Sequence, residues 1–395
     1  MKKLLINNKK IAYIINHVAF FESHILPIAK LAKKKFKIVL FCGESASIEM
    51  EKYALKSLKK NKISIVKKNF SSTSINIFKE LIALVSLIIS VKKFQPDIIH
   101  CATPKGILLG GLVSYFLKIK SLVIFNSGMG FMFSNKLNFF HQSAKNIYIF
   151  FLQKIIMKHS NKKIIVENFD DYKYLKKKFF LNNKEIDLVN GSGVDLSKFK
   201  KINISKNKLV LMPSRVLKEK GINEFVIAAN NLKKKYPDWL FVVAGSLDYK
   251  KQSDFSFEEL TLLKKNESVK FLGFVKNMIK IYKKASIVCL PSYREGFSRT
   301  LQEAAALGIP IVTTNVIGCK NAIIPGKTGE LCKVNNPKSL EVKLEFMIKH
   351  SKKRILYGKN GRLFAEKNFN VNKVLNKNLK IYNYLVSNEK KINLN

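Results

Sequence analysis

SIVCLPSYREGFSRTLQEAAALGIPIVTTNVIGCKNAI, running from Ser286 to Ile323, is the stretch that decides the fold. It opens with a short apolar run of the kind that forms buried strands and closes it at Pro291. A loop carrying Glu295-Gly296-Phe297 follows, and a helix begins near Ser298. Gly308 and Pro310 stop that helix, and PIVTTNV starts another strand. Strand, helix and strand at this spacing form a βαβ unit, which requires a parallel sheet.

The same alternation extends outward in both directions. IAYIIN, FKIVLFC, ISIVKK, DIIHCA, SLVIFNSG and KKIIVEN read as strands in the first half, and KLVLMPSR, WLFVVAGS, SVKFLGF and SIVCLPS in the second. Between them lie stretches such as Ile25–Phe36 and Glu224–Lys235, apolar at helical spacing and basic elsewhere. The fold class is therefore α/β, with parallel sheets covered by helices on both faces. At 395 residues the chain is about twice what one hydrophobic core organises. The Gly/Ser/Asn/Lys-rich stretch Gly191–Lys208 is the best boundary, dividing a first domain over 1–203 from a second over 204–372. Residues 373–395 belong to one amphipathic helix with a polar tail, expected to pack back toward the first domain.

Composition narrows the function. Hydrophobic residues make up 47% of the chain, which excludes a mainly disordered or fibrous protein. Basic residues number 72 against 27 acids, for a formal charge of +45, and all but five of them are lysines. Readers of nucleic acid favour the planar arginine fork, and no zinc-finger, RNP-type or helix-turn-helix signature is present, so no nucleic-acid partner is expected. The positive charge reads first as a lysine-coated surface, and next as attraction to an anionic membrane or a phosphate-bearing substrate. The five cysteines (Cys42, Cys101, Cys289, Cys319, Cys332) are scattered and never spaced as C-x-x-C, which suits a reducing cytosol. NNKK breaks the apolar run at the N-terminus before a signal segment forms, and LIALVSLIIS, Leu81 to Ser90, is about half a bilayer span. A cytoplasmic protein that touches the membrane without crossing it is expected.

Several motif matches fail. PGKT, Pro325 to Thr328, resembles the end of a phosphate-binding loop, but Asn321 stands where its first glycine belongs. NGSGVD lacks the third glycine of the dinucleotide fingerprint. No D-x-D pair and no HExxH or close His/Cys cluster offers metal ligands. What remains lies at strand ends, where such sheets bind ligands. PSRVLKEKG puts Arg215 at a strand end and Lys220 in the turn before a helix. Two cations there would neutralise a diphosphate, Arg215 in bidentate fashion and Lys220 as a point charge; alternatively they are surface cations on a loop. The helix near Ser298 presents N–H groups and a positive dipole end suited to phosphate. Glu303 follows Glu295 by eight residues, and Thr300-Leu301-Gln302-Glu303 also fits a capping box.

The whole run from Pro213 to Glu330 resembles glycosyltransferase family 4, through SRVLKEKG, FLGFVKNMIKIYKKASIVCLPSYREGFSRTLQEAAALGIPIVTTNVIGCKNAI and PGKTGELC. The spacing of Glu295 and Glu303 matches the family's pair of glutamates. The first half resembles it through FFESHILPIAKL, DIIHCATPKG, NSGMGFMF, IIVENFDDY and NGSGVDLSKF. The resemblance implies the GT-B architecture, two Rossmann-like doubly wound domains facing a cleft. It implies a retaining transferase that takes a nucleotide-sugar donor and needs no cofactor and no metal. Arg215, Lys220, Ser298, Arg299, Thr300 and Leu301 would hold the donor diphosphate, and Glu303 the ribose. Glu295 would act as a catalytic residue in the donor-sugar pocket, with Gly296 and Phe297 lining it, while Gly273, Phe274 and Val275 would sit near the base. On the acceptor side, His100 would contact the reacting sugar, with His24, Lys105, Asn126 and Gly128 nearby; both histidines also fit satisfied core or loop positions. Relatives carry a glycine-rich loop after the first strand, where this chain has NHVAFFESH, and an active-site histidine where Ala102 stands.

The function implied is transfer of a hexose or N-acetylhexosamine from a UDP-sugar to a polyprenyl-diphosphate-linked saccharide, in surface polysaccharide or glycan assembly. A nucleotide-sugar epimerase of the same architecture is the alternative, disfavoured by the paired glutamates and the SRxxxxKG segment. The stretch Phe131–Lys163, where aromatic and aliphatic residues interleave with lysines and no acid appears, predicts peripheral docking on an anionic inner membrane face.

Overall fold

A computed structural model describes residues 9–44, 48–71, 77–128, 139–203, 208–246 and 255–392. The chain divides into two compact units, Met1–Val189 with Leu375–Asn395, and Asn190–Val374. The second begins ahead of the 203/204 division expected from composition, because backbone hydrogen bonds tie residues 190–203 to it. Val194 donates to the Phe369 carbonyl at 2.7 Å and accepts from Val371, and the Ile202 N–H bonds to the Leu307 carbonyl at 2.9 Å.

The first unit is built on seven parallel strands: β1 (Lys10–His17), β2 (Lys37–Glu44), β3 (Ser64–Ser71), β4 (Ile98–Ala102), β5 (Ser121–Asn126), β6 (Lys162–Val166) and β7 (Ile186–Leu188). Their order is β3-β2-β1-β4-β5-β6-β7. Alternation along β4 sends Ile99 and Cys101 into the core beneath the helices Ile77–Phe94 and Pro104–Phe116, and turns His100 to the opposite face. There the C-terminal helix Val371–Ile392 covers it. Tyr382 lies on the buried side of that helix and its hydroxyl meets His100 Nδ1 at 2.6 Å and the Tyr13 hydroxyl at 3.2 Å. The ring is fully buried among Tyr13, Phe125 and Tyr382.

His100 is thus a core residue anchoring the last helix, and its expected contact with a reacting sugar is corrected by its burial. Desolvation drives its pKa down to about 3 from the ordinary 6.5. The folded state therefore refuses a proton that the unfolded chain accepts below pH 6.5. Stability contributed by neutral His100 is complete above pH 6.5 and is lost as the pH falls from there toward 3. Chemical denaturation at stepped pH should show a decline of about 1.4 kcal/mol per pH unit that His100→Phe lacks. Equal slopes in both proteins would contradict this role.

The second unit has six parallel strands: β8 (Leu209–Met212), β9 (Leu240–Val243), β10 (Val269–Phe271), β11 (Ile287–Leu290), β12 (Ile311–Thr314) and β13 (Gly329–Cys332). Their order is β10-β9-β8-β11-β12-β13. The two Rossmann-like parallel-sheet units bear out the α/β reading. β7 and β13 are short edge strands with no apolar run to announce them. Successive strands β8, β9 and β10 build outward in one direction, and β11 returns to the other side of β8. Their carboxyl ends diverge there, and this switch point is where an open α/β sheet binds its ligand.

Candidate active site

Two loops meet at the switch point. From β8 the chain runs through Pro213 and Ser214 to Arg215, held by the Val216 N–H on the Ser246 carbonyl (3.1 Å) and the Ser214 hydroxyl on the Arg215 carbonyl (2.7 Å). A single turn, Lys218–Lys220, then ends at Gly221, whose φ of 78° starts the helix Ile222–Lys235. From β11 the chain runs through Pro291 to Ser298. The Tyr293 N–H bonds to the Glu219 carbonyl at 2.8 Å, which fixes the two loops to each other.

The side chains follow the backbone. Lys220 Nζ lies 2.8 Å from Glu295 Oε1, and the Ser292 hydroxyl donates to the same oxygen at 2.8 Å. Both members of the ion pair are largely enclosed, at 16% and 15% exposure. Ser292 is itself pinned, its carbonyl accepting from the Thr314 hydroxyl at the end of β12. Carboxylate and ammonium are thus preformed at one point of the crevice.

The helix Arg299–Leu307 starts immediately beyond. Ser298 occupies its N-cap with extended backbone, yet the side chain makes no bond to the first-turn amides and no acid stands in that turn. The Ser298 N–H bonds to the Gly318 carbonyl, and Phe297 packs edge-on against Phe369. The capping box allowed by Thr300 and Glu303 does not form, because the helix begins at Arg299. Glu303 instead accepts from Arg299 Nε at 3.0 Å and from the Tyr282 hydroxyl at 3.3 Å. Burial pushes its carboxyl up, against the opposing pull of the Arg299 charge. A carboxylate retains further lone pairs for hydroxyl donors. Thr300 and Leu301 form the first turn, and Gly273, Phe274 and Val275 are half-buried past the end of β10, two strands from β8.

A family model for glycosyl transferases group 1 matches residues 195–364, and one for glycosyl transferase 4-like domains matches residues 10–168. Between them they take in both units. The chain belongs to glycosyltransferase family 4. This glycosyltransferase is 25% identical over 307 residues to the capsular polysaccharide biosynthesis glycosyltransferase CapM of Staphylococcus aureus, covering 75% of this chain and 78% of that protein. It is 28% identical over 340 residues to the N,N'-diacetylbacillosaminyl-diphospho-undecaprenol alpha-1,3-N-acetylgalactosaminyltransferase of Campylobacter jejuni, covering 82% and 87%. Its fold matches Anabaena HepE in complex with UDP-glucose at a TM-score of 0.73 and 18% identity, over 96% of this chain and 99% of that one.

The first-unit candidates of the glycosyltransferase are placed differently. His24 lies in the single π-turn Phe21–Ile25, its ring stacked on Phe20 and its Nδ1 2.7 Å from the Ser23 hydroxyl. His17 at the end of β1 takes over the loop's local bonding in the absence of glycines, accepting from the Phe20 N–H at 3.2 Å. Lys105 is drawn into an ion pair with Glu80 at 2.7 Å. Asn126 and Gly128 form one turn at the end of β5, the Gly128 N–H on Asn126 Oδ1. Residues 129–138, which include the start of the docking stretch Phe131–Lys163, lie outside the described residues. The helix Phe139–Lys154 buries Tyr148 and Leu152 and leaves Ile147 and Phe150 exposed. Sequence reasoning missed Ser292, Tyr282 and Gly245. Only Ser292 carried a local signal, standing right after the strand-ending Pro291. Among the described residues, no group of three or more His, Cys, Asp or Glu is arranged to hold a metal ion.

Proposed function

We propose that this glycosyltransferase moves a hexose or N-acetylhexosamine from a UDP-sugar to a polyprenyl-diphosphate-linked saccharide, with retained anomeric configuration, at the inner face of the cytoplasmic membrane. The observation that carries the reading is the preformed Lys220–Glu295 pair at the β8/β11 crevice, beside a helix start whose N-cap side chain leaves the first-turn amides alone. The bond between the anomeric carbon and the β-phosphate oxygen breaks, and UDP departs with that electron pair. The acceptor hydroxyl bonds to the anomeric carbon and gives its proton to the departing phosphate. Arg215, Lys220 and the helix N-terminus at Ser298–Leu301 stabilise the growing negative charge, which a metal would otherwise do. Glu295, with Gly296 and Phe297, orients the sugar; Glu303 receives the ribose hydroxyls, and Gly273–Val275 line the base. The acceptor class is supported by the Campylobacter relative, whose name specifies an undecaprenol-diphosphate-linked acceptor, and the donor class by the UDP-glucose bound in HepE. His24, Asn126 and Gly128 remain the acceptor-side candidates; Lys105 is committed to Glu80.

The test is transfer from a panel of radiolabelled UDP-, GDP- and ADP-sugars to short polyprenyl-diphosphate N-acetylhexosamine, with and without excess chelator. Product from a UDP-sugar at an undiminished rate in chelator is the expected result. Complete loss that added divalent metal restores would overturn the metal-free site, and a donor altered with no acceptor present would turn the reading to epimerisation.

A further inference from the structure

The helix Ile77–Phe94 is apolar on both sides. Ala83, Leu87 and Val91 face the core of the first unit and are buried. On the opposite face Phe78, Leu81, Ile82, Val85 and Ile89 form one continuous stripe at helical spacing, every one more than half exposed and Phe78 at 76%. A helix that is hydrophobic all round normally has apolar neighbours all round, and a contiguous exposed patch of this kind marks an interaction surface.

The charges around the stripe identify what covers it. Lys79 flanks its start, and Lys92 and Lys93 close its far end, all exposed. Lys68 of the edge strand β3 reaches over to the Ser86 hydroxyl at 3.0 Å. The helix's one acid, Glu80, is engaged by Lys105 at 2.7 Å. Two copies docked through this face would bring lysine against lysine. An anionic bilayer accepts both features, the aliphatic stripe at the acyl boundary and the lysines reaching up to the phosphates. No helix among the described residues is long and apolar enough to cross a membrane, so this one would lie on the surface.

We infer that the exposed face of Ile77–Phe94 is the surface by which the first unit rests on an anionic membrane. This rests on the membrane part of the proposed function and moves the contact away from Phe131–Lys163. The experiment is flotation of the full chain with vesicles of phosphatidylcholine alone or mixed with phosphatidylglycerol, beside sedimentation and a thermal melt. Wild type should float with the anionic vesicles. Ile82→Glu/Ile89→Glu should lose at least about tenfold of that binding with an unchanged melt, since both positions are already in water. Lys92→Glu/Lys93→Glu should lose binding most at low salt, while Ile147→Glu/Phe150→Glu on the other helix should still float. Absence of binding by wild type to either vesicle would sink the membrane reading and this inference with it. Equal flotation of wild type and the Ile82/Ile89 variant, or loss in the Ile147/Phe150 variant alone, would overturn this surface and leave the membrane reading standing. A dimer that the Ile82/Ile89 variant dissociates, without vesicle binding, would make a second copy the occupant and likewise overturn it.

Discussion

Lys220→Ala is expected to lower kcat/KM by about 30- to 1,000-fold, the equivalent of roughly 2–4 kcal/mol of transition-state stabilisation. Lys220 is largely enclosed, so its charge acts through little water, and its Nζ is held 2.8 Å from Glu295 before any substrate arrives. In the proposed reaction its removal takes a fixed cation from the place where the departing diphosphate gathers charge. It also leaves Glu295 with the Ser292 hydroxyl but without its ammonium partner, so a negative charge loses compensation where negative charge is expected to develop. Arg215→Ala should fall in the same range. The loss should lie in kcat more than in the donor KM, because the charge on the leaving group grows on the way to the transition state. Steady-state kinetics decide it, and activity within threefold of wild type in both variants would remove the diphosphate assignment.

Gly245→Ala should damage both stability and catalysis through a single methyl group. A Cβ at this position would overlap the Ser214 carbonyl oxygen and approach the Arg215 nitrogen to 2.7 Å. Both are backbone atoms, with no flexible side chain to yield. The strand-end loop carrying Arg215 must shift, at a cost of about 1–3 kcal/mol for overpacking. A displaced Arg215 costs activity as well, since a misplacement of about 1 Å at a charge-stabilising group is worth up to 100-fold in rate. Gly326 provides the control. Its added Cβ would meet nothing within 4 Å, so Gly326→Ala retains only the strain of its φ of 71°, about 1 kcal/mol. Calorimetry and kinetics on the two variants should show an activity loss of tenfold or more in the first alone. Full activity in Gly245→Ala would show that the loop tolerates the shift.

The strands quoted from the sequence lie where the structure has strands, because each contains a short run of apolar, often β-branched residues; the central strands bury theirs on both faces, while the edge strands β3 and β10 keep exposed lysines. β7 and β13 leave no such run: IDL and GELC each set an acid among their few apolar residues. At the site, Arg215 and Lys220 were legible from the scarcity of arginine and the strand-turn-helix around them. The hydroxyls that hold the two glutamates were not, since Ser292 on Glu295 and Tyr282 on Glu303 are placed by the folding of the loops and of a separate helix rather than by a local motif. His100 shows the limit most directly. Its place at the end of DIIH reads equally as a ligand-facing or a core histidine, and the helix that covers it lies 282 positions later in the chain.

By itself the sequence determined the class of the protein, its parallel sheets and its membership of a glycosyltransferase family, because strand periodicity, helix stops and the glutamate spacing are short-range properties of the chain. The tertiary structure alone decided where the chain leaves its first unit, which charges meet at the switch point, that His100 is locked under Tyr382, and that one apolar face of Ile77–Phe94 is exposed. The physical reason is the range of the interactions. Periodicity selects which face of an element is apolar, but only packing between elements remote in sequence settles whether that face, or a buried ring, meets core, ligand or another surface.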